Sequence, residues 1–231
     1  MKFQHAPEIW RDFPDLAAGT LTASGIHPGV DVSAAVTRFS GIAATRLANG
    51  PESELPEIQA WRRTFTKMGL KPTQYRCASE SLLRRFRKEG SLPRIHPLID
   101  LCNAVSLAFA IPVAVFDRAH ITGDLTVRYA TGDETYQTFG GDTEHPTPGE
   151  VIFADSAGNA HARRWTNRQS GLSGVQETTA NILIVSEAMH ETATTDIASL
   201  IATLAGEIAS TWGGSPVTGF PDAGSPVFRA G

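Results

Sequence analysis

Ile95-His-Pro-Leu-Ile-Asp-Leu-Cys-Asn-Ala-Val-Ser-Leu-Ala-Phe-Ala-Ile-Pro-Val-Ala-Val-Phe-Asp117 carries both periods of the chain in one short stretch. Pro97 suits the first turn of a helix, where its missing N–H costs nothing. Residues 98–109 are apolar nearly all round, which predicts a buried helix, with Asp100 and Asn103 three apart on one side. Beyond Pro112 the period changes, and Val113-Ala114-Val115-Phe116 reads as a strand.

Upstream the text is helical. Ile58, Trp61, Phe65 and Met68 recur at spacings of three and four over residues 57–68. Ser79 is placed to cap a second helix whose Leu82, Leu83 and Phe86 turn inward and which Gly90 closes. Downstream, residues 125–130, 135–139, 151–154, 160–165 and 181–185 read as short strands between Gly, Asp and Pro turns. Residues 17–26 read as an opening strand, 7–14 as irregular, and 195–211 as a closing helix through Ile197, Leu200, Ile201, Leu204 and Ile208. Helices first and then mostly strands predict an α+β fold, a mixed β-sheet packed with helices. One domain is expected: residues 1–54 supply an N-terminal strand and loops to it, 55–190 its core, 191–212 a packed C-terminal helix, and the Gly-, Pro- and Ser-rich 213–231 a flexible tail.

The chain has 231 residues, 41% hydrophobic and 19% charged, as a soluble globular protein does. No stretch approaches the roughly 20 apolar residues of a membrane span. Its start, Met1-Lys2-Phe3-Gln4, lacks the apolar core of a signal peptide, so the expected location is cytoplasmic, with no membrane partner. Cys77 and Cys102 read as two reduced, buried thiols. The seven histidines show no metal-site spacing, and there is no phosphate-binding loop, dinucleotide fingerprint or serine elbow. Neither metal nor cofactor is expected.

The net charge of −4 argues against a nucleic-acid partner until its distribution is examined. Residues 61–94 hold ten basic side chains against Glu80 and Glu89, so this segment is +8 and the remainder is −12. Arg62, Arg63 and Lys67 fall on the polar face of the first helix, and Arg84, Arg85, Arg87 and Lys88 on that of the second. An RNA-binding surface is the reading these faces suggest.

The segment from Ile95 to Asp117 resembles the heart of the B3/B4 domain of bacterial phenylalanyl-tRNA synthetase β subunits. Its D-x-x-N helix and P-x-x-x-F-D strand match as Asp100, Asn103, Pro112, Phe116 and Asp117. The likeness continues through residues 121–130, Gly132-Asp-Glu-Thr, Val151-Ile-Phe-Ala-Asp155 and Ser170-Gly171, ending near 181–185 and Glu187. Leu55-Pro56, Ala60-Trp61-Arg62, Ser79–Arg85, Leu92-Pro93, Gly149-Glu150 and Trp165-x-x-Arg168-Gln169 look like the free-standing B3/B4 proteins. The synthetase domain clears tRNA carrying the wrong amino acid. The resemblance therefore implies a trans-editing aminoacyl-tRNA deacylase, with canavanyl-tRNA(Arg) a candidate substrate and mischarged tRNA the partner. A non-catalytic RNA- or amino-acid-binding module is the alternative, as is a protein-interaction domain.

The family's pocket His falls on Ala114, its Thr-Asn pair on Cys102-Asn103, and its pocket Glu near Arg168 or Gln169. The resemblance thus implies catalytic Asn103, Asp100 and Asp117, with Glu80, Glu150, Arg168, Cys102 and Ala114 around the substrate. An aminoacyl ester is already activated. Its hydrolysis needs a held water and a polarised carbonyl, not a protein nucleophile. Carboxylates, Asp155 among them, suit a guanidine-like side chain because they accept paired hydrogen bonds.

Overall fold

The structure is a computed structural model that describes residues 1–229. Its architecture is α+β. Two eight-residue strands, β2 (Ala17–Ser24) and β10 (Asn181–Ala188), pair antiparallel along their whole length. With β3 (Val113–Asp117) and β11 (Val217–Gly219) they form a four-stranded antiparallel sheet in the order β11-β2-β10-β3.

A second, mixed sheet of six runs β12-β1-β4-β7-β8-β9. It comprises β1 (Lys2–His5), β4 (Leu125–Tyr129), β7 (Val151–Asp155), β8 (Ala160–Arg163), β9 (Arg168–Gln169) and β12 (Val227–Arg229). Its β1–β4 pair is parallel. A two-strand hairpin, β5 (Tyr136–Gln137) with β6 (Thr143–Glu144), forms a third sheet.

β10 explains the layering. Successive side chains of a strand point to opposite faces. Ile182 and Ile184 join a core with the helices α2 (Ser33–Ala48), α5 (Pro97–Phe109) and α6 (Ala193–Trp212). Leu183 and Val185 join another with the six-stranded sheet and the helices α1 (Pro7–Asp12), α3 (Pro56–Lys67) and α4 (Ala78–Glu89). A strand buried on both faces reads as an unbroken apolar run, as residues 182–185 do.

The helices start and stop largely as their sequence demands. α3 opens on Pro56, α4 ends at left-handed Gly90 (φ 75), and α5 opens on Pro97 with the His96 ring accepting from Leu98 N–H at 3.2 Å. Ser79 does not cap α4. Cys77 occupies that position, and the buried Ser79 hydroxyl lies inside the first turn, 3.4 Å from its Sγ.

Several stretches depart from expectation; the strand read over 160–165 stops at Arg163, because Arg164 and Trp165 take left-handed backbone, and β1 and β9 had no reading. Residues 7–12, expected to be irregular, form α1, because Pro7 fits its first turn and Ile9 and Trp10 are drawn into the core. α2 has only Ala35, Phe39 and Ala43 buried, too sparse an apolar stripe to read in the sequence. The tail expected to be flexible carries β11 and β12, each adding an edge to one sheet. Pairing with a neighbour's backbone needs no side-chain signal. Residues 230–231 lie outside those described.

α6 lies on β2 at Gly19, where a Cβ would sit 2.5 Å from Ile201 Cγ1 and 2.7 Å from Ile197 Cγ2. Gly19→Val is therefore expected to destabilise the fold by about 1–3 kcal/mol through overpacking. Urea unfolding measures it, and an unchanged midpoint would mean that α6 does not pack against the strand at this position.

Candidate functional site

The chain leaves α5 through left-handed Ala110 (φ 58) and enters β3, so that Pro112, Val113 and Ala114 line a narrow cleft. Ala78 at the start of α4, Phe153, Ala162, residues 165–169, and Val185 and Glu187 of β10 complete it. Its volume is about 60 Å³. At about 10–15 Å³ per water, that is room for some four waters or the end of one small side chain.

Glu187 is the carboxylate in this cleft, and its residue is only 2% exposed. Its Oε1 accepts from Trp165 Nε1 at 2.9 Å and from His5 Nε2 at 2.6 Å. Oε2 has no hydrogen-bond partner among the described residues. The buried Thr166 hydroxyl, which also lines the cleft, has no partner among the described residues. A carboxylate oxygen and a hydroxyl are thus available to a molecule that enters this cleft.

The cleft's shape depends on backbone strain. Arg164 and Trp165 are consecutive non-glycine residues with φ of 47 and 57, at a cost of about 1–3 kcal/mol each. Glu150 holds this turn. It accepts from Arg163 Nε and Nη2, both at 2.9 Å, and from Arg164 N–H at 3.0 Å. Burial opposes ionisation of Glu150, but Arg163 and Arg164 outweigh it and hold the carboxyl below its usual range.

The residues singled out from the sequence do not form one site. Ala114 and Arg168 share the cleft. Arg168 is exposed, donates to Glu144 Oε2 at 2.9 Å and lies over the Tyr136 ring. Glu150 is a strut of the turn. Glu80 is buried between Arg62 (2.6 Å) and Arg76 (3.4 Å), clamping α3 to α4. Asp117 caps a turn through Ala119 N–H and accepts from Thr179 Oγ1 at 2.7 Å. Asp155 accepts from the backbone of residues 122, 157 and 159. A Ser173–His161–Asp155 chain, with contacts of 2.7 and 3.3 Å, has the residues of a hydrolytic triad, but its serine and histidine are wholly buried. Cys102 lies in the apolar core.

Asp100 and Asn103 line a different cavity, of about 420 Å³, between α2, α5 and residues 90–94. Asp100 accepts from Ile95 N–H at 2.9 Å and is paired with Arg94. Helix α4 spans both places, with Ala78 in the narrow cleft and Phe86 in the larger cavity. Arg84, Arg85, Arg87 and Lys88 are exposed along it. Part of their charge is answered: buried Glu52 pairs with Arg84 and Arg87, and Glu89 with Arg85. Lys67 reaches Asp12 O and the Phe13 ring. Arg63 and Lys88 have no ion pair among the described residues.

Residues 60–204, more than half of the chain, match the model of the B3/4 domain. The chain belongs to the B3/4 domain family. Among curated relatives of this B3/4 domain, the phenylalanine–tRNA ligase beta subunit of Shewanella oneidensis is 33% identical over 101 residues, 43% of the chain and 12% of that protein. That of Nitrobacter winogradskyi is 31% identical over 112 residues, 48% of the chain and 13% of that protein. The chain thus spans about an eighth of the length of these relatives. An N-terminal fragment of the phenylalanyl-tRNA synthetase beta subunit from Pyrococcus horikoshii aligns with 52% of the chain and 41% of its own, at 16% identity and a TM-score of 0.41. No helix among the described residues of the B3/4 domain is long and apolar enough to cross a membrane.

Sequence reasoning placed Glu187 in the family likeness without giving it a role, and missed His5 and Thr166. Glu187 breaks the apolar run of β10, a buried carboxyl being rare unless it is held. That was the available signal. His5 and Thr166 carried none, because only folding brings them to the cleft.

Both thiols are expected to be inert. Burial pushes the Cys77 thiol up to about 11 and raises that of Cys102 as well. At pH 8 about 0.1% of Cys77 would then be thiolate. Iodoacetamide at pH 8 should leave both cysteines of the native chain unmodified and label both in guanidinium. Rapid native labelling of Cys102 would place it at a surface that solvent reaches.

Proposed function

We propose that this B3/4 domain is a trans-editing deacylase that hydrolyses the ester of a mischarged aminoacyl-tRNA, with canavanyl-tRNA(Arg) the candidate substrate. The observation that carries this reading is Glu187, a buried carboxylate in a cleft lined by Ala114 and Arg168, whose hydrogen bonds among the described residues both fall on Oε1. A guanidine-like side chain end offers the N–H donors a carboxylate oxygen accepts. Alanine at 114 leaves room there that a larger side chain would fill.

The reaction asks little of the protein. Water attacks the ester carbonyl, the ribose oxygen leaves, and the amino acid and free tRNA are released. The ester is already activated, so holding it against a water and polarising its carbonyl are the contributions required. Asn167, Arg168 and Gln169 line the same cleft and would meet the ester there. Along α4, Arg84 to Lys88 begin about 9 Å and end about 15 Å from Ala78 at 1.5 Å per residue, a cationic approach for an acceptor stem. In this reading Asn103 and Asp100 stand in the larger cavity, apart from the ester.

A second reading, a non-catalytic RNA- or amino-acid-binding module, draws support from the same Ala114, since the cleft has no imidazole there to orient water.

Incubation with a panel of mischarged tRNAs decides between them. Loss of ester well above the buffer rate is expected, and for the preferred substrate Glu187→Gln should lower it about 10–150-fold, the worth of a hydrogen bond to a charged group. No loss of any ester while tRNA still binds would leave the module. The RNA surface is tested separately. Arg63, Arg85 and Lys88 changed together to Ala should weaken tRNA binding and flatten the slope of log K against log salt by about two. Arg84 and Arg87 are left in place because they neutralise buried Glu52. Unchanged affinity and slope would remove this face from the interface.

A further inference from the structure

The narrow cleft adjoins a shelf. Asn167, Arg168 and Gln169 line both, and the shelf continues over Tyr136, Thr138, Phe139, Gly140, Asp142 and Glu144. At its far side Phe139, in the loop joining β5 and β6, is 75% exposed. An aromatic ring that open to water costs hydrophobic free energy, and a loop tip that merely needed to turn would carry a small polar residue.

The ring is exposed yet fixed. Thr138 N–H donates to Asp142 O at 2.8 Å, Gly141 N–H to Thr138 O at 3.0 Å, and Asp142 N–H to the Thr138 hydroxyl at 3.1 Å, which tightens the loop. The hairpin is pinned to the strand bordering the cleft. Tyr136 Oη donates to Gln169 O at 2.7 Å, while Gly171 N–H and Ser170 Oγ donate to Gln137 O at 2.9 and 2.8 Å. Two glycines make the bed. A Cβ on Gly174 would stand 2.9 Å from Phe139 Cε1, and one on Gly171 3.0 Å from Phe139 Cα. The ring is therefore seated against bare backbone on one side, leaving aromatic surface free for a ligand. Arg168, across the shelf, is paired with Glu144 at 2.9 Å and still presents part of its guanidinium to solvent.

We infer that Phe139 is a stacking platform for the terminal nucleobase of an RNA 3′ end, with Arg168 beside its ribose and phosphate. This rests on the reading that the cleft receives the aminoacyl group. A base is the flat, π-faced group that such a platform takes, and single-stranded ends are the parts of RNA whose bases are free to stack. The shared residues 167–169 put the base on the shelf while the group esterified to its ribose enters the cleft.

The probe is an uncharged acceptor-stem hairpin ending in CC followed by 2-aminopurine, with binding followed separately by anisotropy of a 5′ label. With the full chain, 2-aminopurine emission should fall on binding. Phe139→Leu should restore the emission of free RNA and weaken binding about 5–150-fold, the range for one lost base–aromatic stack. Phe139→Trp should keep both the quenching and the affinity. Bound RNA whose terminal base stays bright, a Phe139→Leu variant indistinguishable from the parent, or no binding at all would overturn the platform. Quenching without ester hydrolysis would sink the deacylase and spare the platform. Hydrolysis without quenching would do the reverse.

Discussion

A carboxylate buried at the end of the central strand is expensive unless hydrogen bonds replace the water it gave up, and Glu187 meets that demand from two directions. His5 reaches it from β1, and Trp165 from the strained turn after β8. Both donors belong to parts of the chain on the six-stranded sheet, whereas Glu187 belongs to the four-stranded one. The contact therefore pins the two sheets together at one edge of their shared core. It also fixes the cleft, because Trp165 and the residues after it are placed by the same turn.

That arrangement reassigns most of the acidic residues. Glu80 is buried and Glu150 half-buried against arginines, Asp117 and Asp155 are buried against backbone N–H groups, and each keeps a chain segment in place. Isolated in the sequence they are indistinguishable from ligand-binding carboxylates, since both roles need an acceptor beside a turn. What separates Glu187 is that it lines a cleft with both of its hydrogen bonds on one oxygen. The basic surface is similarly less uniform than its +8 suggests, because Glu52, which lies outside the basic segment, is buried beneath Arg84 and Arg87.

Much of the helical framework was legible. The 3.6-residue stripe of Ile58, Trp61 and Phe65, the Pro97 start of α5 and the Gly90 stop of α4 are local rules acting on local residues. β3, β7 and β10 were legible because their apolar runs answer to one period. α1, α2 and the two C-terminal strands were not. α1 is a turn and a half stabilised by what Ile9 and Trp10 meet, α2 buries only three residues, and β11 and β12 are edges built by backbone pairing.

The sequence by itself determined the α+β order of elements, the concentration of cations between residues 61 and 94, and the motif that marks a B3/4 domain. These are properties of adjacent residues, whose spacing and charge do not depend on distant partners. Only tertiary structure decided that Asn103 and Ala114, eleven positions apart, look into different cavities, and that His5 and Glu187, separated by 182, share a hydrogen bond. A site is made of side chains whose desolvation must be balanced within one small volume, and the chain order does not say which of them will share it.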